Sequence, residues 1–109
     1  MPRTPQPGSP VRGSTTGRPI MAALDLLGRR WALRVIWELH QGTAGFRELQ
    51  RRCERMSSSV LTTRLAELTE AHLVELADDG YRLTPLGTEL VAALLPLESW
   101  SDTWAANHP

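Results

Sequence analysis

The pair Asp79-Gly80 lies between two short apolar runs, and it constrains the fold more than any other feature of the chain. The apolar residues that flank it are Leu73, Val74 and Leu76 before it, and Tyr81 and Leu83 after it. An Asp-Gly pair between apolar runs is a strong hairpin signal, so we expect strands near residues 73–77 and 81–84. Thr84-Pro85 then predicts a helix start, with Thr84 as the cap and Pro85 in the first turn. A hairpin therefore interrupts a chain that is otherwise helical.

Apolar residues that recur every three or four positions mark the helical segments. They predict helices at residues 20–27, 30–40, 46–52, 58–71 and from 85 through Trp104. Gly28 follows the first helix and can take the left-handed conformation that helix ends favour. Pro96 falls inside the last pattern and should kink or interrupt that helix. A short helix, a tight turn, a longer helix and a hairpin predict a winged helix-turn-helix, mainly α with a small β-hairpin.

The first nineteen residues differ from the rest in composition. They contain five of the eight prolines and no Leu, Ile or Phe. Such a segment cannot bury enough apolar surface to offset its ordering entropy, so we predict a disordered tail at 1–19 and a domain at 20–109. No stretch approaches the roughly 20 apolar residues that cross a bilayer, and the tail is not a signal peptide. We expect a soluble, cytoplasmic protein with no membrane partner.

The helix predicted at 58–71 has two different faces. Its apolar face carries Leu61, Leu65 and Leu68. Its opposite face carries small residues, namely Ser59, Thr63 and Ala66, with Thr62 on the flank. Two interpretations are open. The helix could have an ordinary solvated surface, or it could enter the DNA major groove, where small side chains allow a close approach.

A net charge of zero hides an uneven distribution of charge. Residues 45–66 carry five arginines against two glutamates, a net +3, whereas residues 67–109 carry eight acids against Arg82, a net −7. Four of the arginines precede the helix at 58–71, and they are Arg47, Arg51, Arg52 and Arg55. A helix-turn-helix needs its phosphate-positioning cations at this place, so these residues favour DNA binding over a solvated surface.

Five motifs then occur in order along the chain. They are D-L-L-G-x-x-W from Asp25, W-E-L from Trp37, F-x-E-L from Phe46, S-x-x-x-L-T-x-x-L-x-E-L from Ser57 and Y-x-L-T-P-L-G from Tyr81. Across residues 18–105 the chain resembles the HxlR-type family of winged helix-turn-helix transcriptional regulators, relatives of the MarR group. The resemblance implies a recognition helix at 58–71, and its groove-facing residues would be Ser58, Ser59, Thr62 and Thr63.

The resemblance also implies a homodimer that binds a pseudo-palindromic operator in double-stranded DNA, most often as a repressor. The first and last helices would form the interface, with candidate residues Leu24, Leu90, Leu94, Leu97, Trp100 and Trp104. For Trp100 and Trp104 the alternative is core packing within one chain. A domain of about ninety residues has little interior for four tryptophans, which favours the dimer. A small-molecule effector is left open.

Three features depart from the family pattern. Arg18-Pro19 stands where many members carry a Cys-Pro pair that serves some of them as a sensor, so that sensor is absent. The hairpin tip Asp78-Asp79-Gly80 is acidic, which opposes a wing contact to phosphate. Serines and Ala66 replace the long polar residues common on the recognition helix. The acidic tip and the small residues favour an alternative function, a winged-helix module that binds a protein and has lost DNA binding.

The remaining reactive residues suggest little chemistry. Cys53, the single cysteine, is a possible redox residue because nearby arginines can stabilise a thiolate. A small buried residue at a helix end is the favoured interpretation. His40 and His72 are separated and have no second ligand type at metal spacing. The sequence contains no phosphate loop, catalytic Ser or Cys arrangement, or plausible carboxylate pair. We expect no enzyme activity, no cofactor and no metal.

Overall fold

Five helices and one hairpin follow one another along the chain. The structure is a computed structural model that describes residues 4–108, so residues 1–3 of the predicted tail and residue 109 of the predicted domain lie outside the described residues. The elements are α1 (Pro19–Leu27), α2 (Ala32–His40), α3 (Phe46–Arg52), α4 (Ser58–Glu70), β1 (Val74–Ala77), β2 (Gly80–Leu83) and α5 (Pro85–Ala106). This order confirms the prediction of a mainly α fold with a small β-hairpin.

α2 lies at the centre of the domain, in contact with α1, α3, α4, α5 and β2. Its Val35 and Ile36 are fully buried. Leu61, Leu65 and Leu68 bring the apolar face of α4 into the same core. Burying side chains of this size contributes about 1.5–3 kcal/mol each, which is far more than any surface interaction on α4 could oppose. The leucine spacing therefore fixes which face of α4 turns outward.

Helix boundaries agree with the sequence prediction to within about two residues. α2 begins at Ala32 instead of Arg30, because Trp31 takes a left-handed conformation with a φ of 76°. Gly28 does end α1, but with a φ of −78° it is right-handed, not left-handed as the sequence suggested. The backbone N–H of Gly28 still donates to the Leu24 carbonyl at 2.9 Å, so the helix ends on an ordinary helical hydrogen bond.

The hairpin is tighter than the sequence predicts. Ala77 pairs with Gly80, so the loop consists of Asp78 and Asp79 alone, and Gly80 is the first residue of β2. Ala44 and Tyr81 exchange backbone hydrogen bonds of 3.0 and 2.8 Å, which adds a third short segment beside the hairpin. Gly80 has a φ of 131°, and a Cβ on it would lie 2.6 Å from the carbonyl carbon of Ala44. This close approach requires glycine at position 80.

α5 is the longest helix, with 22 residues. Thr84 is its cap, as predicted, since its hydroxyl accepts a hydrogen bond from the Gly87 N–H at 3.1 Å. The helix continues through Pro96, where the sequence predicted a kink or an interruption. Pro96 and Ala92 are both exposed, so water can satisfy the Ala92 carbonyl that loses its partner. Within residues 4–108, no helix combines the length and apolar character needed to cross a membrane.

Residues 4–18 follow a defined path, which differs from the disorder that their composition predicts. The Gly8 N–H donates to the Gly17 carbonyl at 2.8 Å, and both glycines have positive φ. Thr4 is 9% exposed, and its hydroxyl donates to Glu70 at the end of α4 at 2.9 Å. Composition accounts for apolar burial only, whereas turns and polar contacts hold this segment. Disorder of the tail in solution stays a prediction.

Candidate nucleic-acid interface

α4 presents a face of small side chains to solvent. Ser57 caps this helix, since the Val60 N–H donates to the Ser57 hydroxyl at 3.4 Å. The residues of the outward face are all exposed, and they are Ser58, Ser59, Thr62, Thr63 and Ala66. The first turns of α4 are therefore free of bulky side chains, which is what a helix needs in order to approach base edges in a groove.

The two threonines of this face differ in what they can offer to a ligand. The Thr63 hydroxyl donates to the Ser59 carbonyl at 3.0 Å, so its lone pairs and its methyl group remain available. The Thr62 hydroxyl forms no hydrogen bond with any residue between 4 and 108, and it can both donate and accept. Thr62 is therefore suited to a polar base edge, and Thr63 to an apolar contact such as a thymine methyl group.

Gln50 on α3 holds the turn between α3 and α4. Its side-chain amide donates to the Met56 carbonyl and to the Ser58 hydroxyl, both at 2.9 Å. The Gln50 carbonyl accepts from the Arg55 N–H at 2.8 Å. Glu54 and Arg55 are both left-handed, with φ of 56° and 62°. Helical periodicity gives no signal for such a contact, because the partners lie in an irregular turn.

The arginines predicted to hold phosphate are not equivalent. Arg47 and Arg55 are exposed, and in the described part of the chain their guanidinium groups form no hydrogen bond or ion pair. The Arg51 side chain is 69% exposed and pairs with Glu48 one turn away. An exposed pair of this kind contributes about 0.2–1 kcal/mol, so a phosphate can compete for Arg51. Arg47 and Arg51 lie on α3, and Arg55 lies in the turn that leads into α4.

Arg52 points into the fold instead. Its Nη1 donates to the Gly42 carbonyl at 2.8 Å and to the Glu38 carbonyl at 3.3 Å. Its Nε donates to Glu48 at 3.4 Å. These bonds tie α3 to the end of α2 and leave the Arg52 side chain 25% exposed. We therefore remove Arg52 from the phosphate contacts that the sequence suggested, because its donors already serve backbone carbonyls.

The wing carries negative charge at its tip. Asp78 and Asp79 are both exposed. The wing's Arg82 lies on β2 and pairs across the hairpin with Glu75 at 2.9 Å. A phosphate backbone would meet the two carboxylates before any cation, so the geometry opposes a wing contact to DNA, in line with the sequence.

Cys53 is fully buried at the end of α3. Burial raises the pKa of its thiol, and the nearby Arg34 offsets only part of that effect. A buried thiol with a raised pKa is a poor nucleophile, so the environment opposes redox sensing and fits a small buried residue at a helix end. No group of three or more metal-binding side chains occurs among residues 4–108.

The residues predicted for a dimer interface are poorly covered by the single chain. Four of them are between 50% and 58% exposed, namely Leu24, Leu97, Trp100 and Trp104, while Leu90 and Leu94 are half-buried. Trp100 and Trp104 stack on each other, with ring centroids 5.7 Å apart and an interplanar angle of 8°. The stack lies outside the core, which excludes core packing within one chain as its explanation.

Known proteins are similar to this chain in sequence and in fold. The HTH-type transcriptional regulator YodB of Bacillus subtilis is 32% identical over 97 residues, which are 83% of this chain and 87% of YodB. A transcriptional regulator of Mycobacterium tuberculosis is 34% identical over 99 residues, 84% of this chain, and the chain spans 60% of that relative.

Solved structures give the same result. A crystal structure of quinone-bound YodB matches with a TM-score of 0.72 and 33% identity, and covers 77% of this chain and 96% of that one. A possible HxlR family transcriptional factor from Thermoplasma volcanium also has a TM-score of 0.72, with 26% identity over 82% of this chain and 86% of that one. The model of the HxlR-like helix-turn-helix family matches residues 26–109. The chain therefore belongs to the HxlR-like helix-turn-helix family of DNA-binding transcriptional regulators.

Proposed function

We propose that the protein is a repressor that binds a pseudo-palindromic operator as a homodimer, with α4 of each subunit in the major groove. The observation that carries the proposal is the exposed hydroxyl face at the start of α4. The preceding α3 and turn add the exposed guanidinium groups of Arg47 and Arg55, which form no hydrogen bond or ion pair with residues 4–108. A helix N-terminus beside free cations suits a phosphate backbone, and small side chains suit close contact with bases. Repression is the role that the family resemblance implies.

The proposed contacts divide into two groups. Arg47, Arg51 and Arg55 hold phosphates, which sets the position of the protein but carries no sequence information. The four residues that face the bases are Ser58, Ser59, Thr62 and Thr63. These short side chains offer only one hydroxyl group each and, in the threonines, a methyl group. We therefore expect modest discrimination per base pair, near the lower end of about 1–3 kcal/mol.

Nuclease protection first identifies the DNA segment that the protein covers upstream of its own gene. Fluorescence anisotropy then compares binding to that segment and to random DNA at several salt concentrations. Arg47→Ala should weaken binding to both DNAs and flatten the salt dependence. Thr62→Val, which keeps the side-chain shape, should reduce the preference for the operator. Thr69→Val is the matched control, since Thr69 is exposed on the same side of α4 but lies in its last turn. Absence of salt-dependent binding, or equal effects of the two valine variants, would contradict the proposal.

The dimer proposal depends on the exposed apolar surface of α1 and α5. Leu24 on α1 and Leu97, Trp100 and Trp104 on α5 are all at least half exposed. Aromatic residues are enriched in interface cores. Sedimentation should show a dimer for the wild-type protein and a monomer for Trp100→Glu/Trp104→Glu. Leu76→Glu is the control, because Leu76 is 66% exposed but lies on the wing. A wild-type monomer at micromolar concentration would count against a dimer.

A second function is favoured by the wing alone. Its acidic tip and the exposed Leu76 form a surface better suited to a protein than to DNA. A winged-helix module that binds a protein would bind no DNA even at low salt. The Leu76→Glu variant of such a module would no longer bind its protein partner. The anisotropy measurement described above separates the two functions.

A further inference from the structure

A groove of about 860 Å³ lies between α1, the end of α4 and the start of α5. Its surface is mainly apolar and includes Ala22, Ala23, Leu26, Leu73, Leu86 and Leu90. Residues 4–7 lie along one side, whereas the apolar residues just named all belong to the domain at 20–109. Sites for small organic molecules are typically apolar clefts of about 300–1,000 Å³, so this groove has the size and surface of a ligand site.

The groove is lined by two carboxylate side chains. Glu70 and Glu89 line it, together with His72 and Thr4, and no Lys or Arg is among its lining residues in the described chain. Oε2 of Glu70 accepts a hydrogen bond from the Thr4 hydroxyl at 2.9 Å. Glu89 is exposed, and its carboxylate forms no hydrogen bond or ion pair with residues 4–108. An apolar site with two carboxylates favours a cation over a neutral molecule or an anion.

We propose that this groove binds a small organic amine, in which an apolar alkyl or aryl body carries one ammonium group. The apolar body would contact Ala23, Leu26 and Leu86, and the ammonium group would lie near Glu89 and Glu70. Burial of the body supplies most of the affinity, because a carboxylate as exposed as Glu89 adds only a few-fold.

The position of the groove suggests what a bound amine would do. The groove is built from α1 and α5, the helices of the proposed dimer, and from the end of α4, the proposed recognition helix. A bound amine would contact α1, α5 and the end of α4 together. A change in how the two subunits pack would then change the orientation of α4 relative to the dimer interface. This role as an effector site rests on the proposed function, whereas binding of the amine to the free protein does not.

The site is tested by calorimetric titration of the free protein with three compounds that share one apolar body. They are 4-phenylbutylamine, 4-phenylbutanol and 4-phenylbutyrate. We expect the amine to bind roughly fivefold more tightly than the alcohol, and the carboxylate to bind most weakly. Equal affinities for the amine and the alcohol, or no binding of the amine, would overturn the proposal.

Two substitutions locate the binding. Glu89→Gln should weaken amine binding about threefold without changing the affinity for the alcohol. Glu98→Gln, on an exposed residue of the same helix outside the groove, is the matched control and should change neither. Ala23→Phe should fill the groove and weaken both compounds, with thermal unfolding confirming that the variant folds. Equal losses in the two glutamine variants would show that overall charge, not the groove, attracts the amine, and would refute the site.

The occupant and the regulatory role are decided by two further measurements. A second copy of the chain seated in the groove would make amine affinity fall as protein concentration rises, which would refute the ligand site. If the amine regulates the protein, saturating amine should change the operator affinity of the wild type and should do so less at the same concentration in Glu89→Gln. An operator affinity that saturating amine leaves unchanged would overturn the effector role. Failure of the amine-free protein to bind DNA would instead count against the proposed function.

Discussion

Replacing Arg52 with alanine is expected to destabilise the fold and to leave the salt dependence of DNA binding unchanged. The Arg52 guanidinium donates to the carbonyls of Gly42 and Glu38 and to Glu48, so alanine leaves these acceptors without their charged donor. Hydrogen bonds from charged groups contribute about 1.5–3 kcal/mol each. Because the side chain is 25% exposed, water can replace part of this loss. We expect a total loss of about 2 kcal/mol, which lowers the melting temperature of a small domain by about 10 °C.

Arg47→Ala is the matched comparison on the same helix. Arg47 is exposed and makes no side-chain hydrogen bond with the described residues, so its loss should change stability by less than about 0.5 kcal/mol. It should instead reduce the slope of log affinity against log salt by about one for each phosphate contact removed. Arg52→Lys adds a further test, because lysine keeps the charge but cannot reproduce the planar set of donors. It should be nearly as unstable as Arg52→Ala.

The assays are thermal unfolding by circular dichroism and anisotropy titrations at four salt concentrations. The reasoning would be refuted if Arg52→Ala melted within about 1 °C of the wild type and flattened the salt dependence as Arg47→Ala does. That result would mean that Arg52 leaves its carbonyl partners in solution and contacts phosphate, as its neighbours are proposed to do.

Two further predictions concern single residues of the core and the wing. Gly80→Ala should destabilise the protein by about 2–3 kcal/mol in urea unfolding, because its φ is unfavourable for alanine and its Cβ would meet Ala44, whereas Asp79→Ala in the exposed loop should cost much less. Cys53 should react slowly with a disulfide reagent in the native protein, because it is buried and its thiol pKa is raised, which reduces the thiolate fraction. Fast reaction under native conditions, with unfolding making no difference, would show that the thiol is accessible.

Local pattern was enough to predict the helices, the hairpin and the outward face of α4. These features depend on residues three or four positions apart, as with Leu61 and Leu65, or on a cap beside its own helix, as with Ser57 and Thr84. The interactions are contained in the segment that makes them. The prediction that Trp100 and Trp104 lie outside the core of one chain has a different basis, since a domain of about ninety residues has limited interior.

The roles of Gln50 and Arg52 could not be predicted in this way. Both side chains reach backbone carbonyls, of Met56 in one case and of Gly42 and Glu38 in the other. The carbonyls of Met56 and Gly42 lie in irregular backbone, and the Glu38 carbonyl lies in the last turn of α2, where it also accepts the Gln41 N–H at 3.1 Å. Carbonyls at such places can accept a further donor, and the fold brings these close to the two side chains. A sequence shows that an arginine is present on α3 but not which of its neighbours will need a donor. The groove beside α1 was missed for a related reason, since it combines four separate segments of the chain.

Because Arg52 contacts backbone carbonyls and not phosphate, each subunit has fewer cations for DNA, and we expect tight DNA binding only from a dimer. Arg47, Arg51 and Arg55 remain as phosphate contacts in each subunit, and the acidic wing adds none. Three phosphate contacts give a salt slope of about −3, whereas six contacts in a dimer give about −5. The monomeric variant Trp100→Glu/Trp104→Glu should therefore show the shallower slope and lose preference for paired half-sites, even though its substitutions lie far from α4 along the chain. An unchanged slope in that variant would mean that one subunit makes all of the phosphate contacts, and the symmetric arrangement on the operator would have to be abandoned.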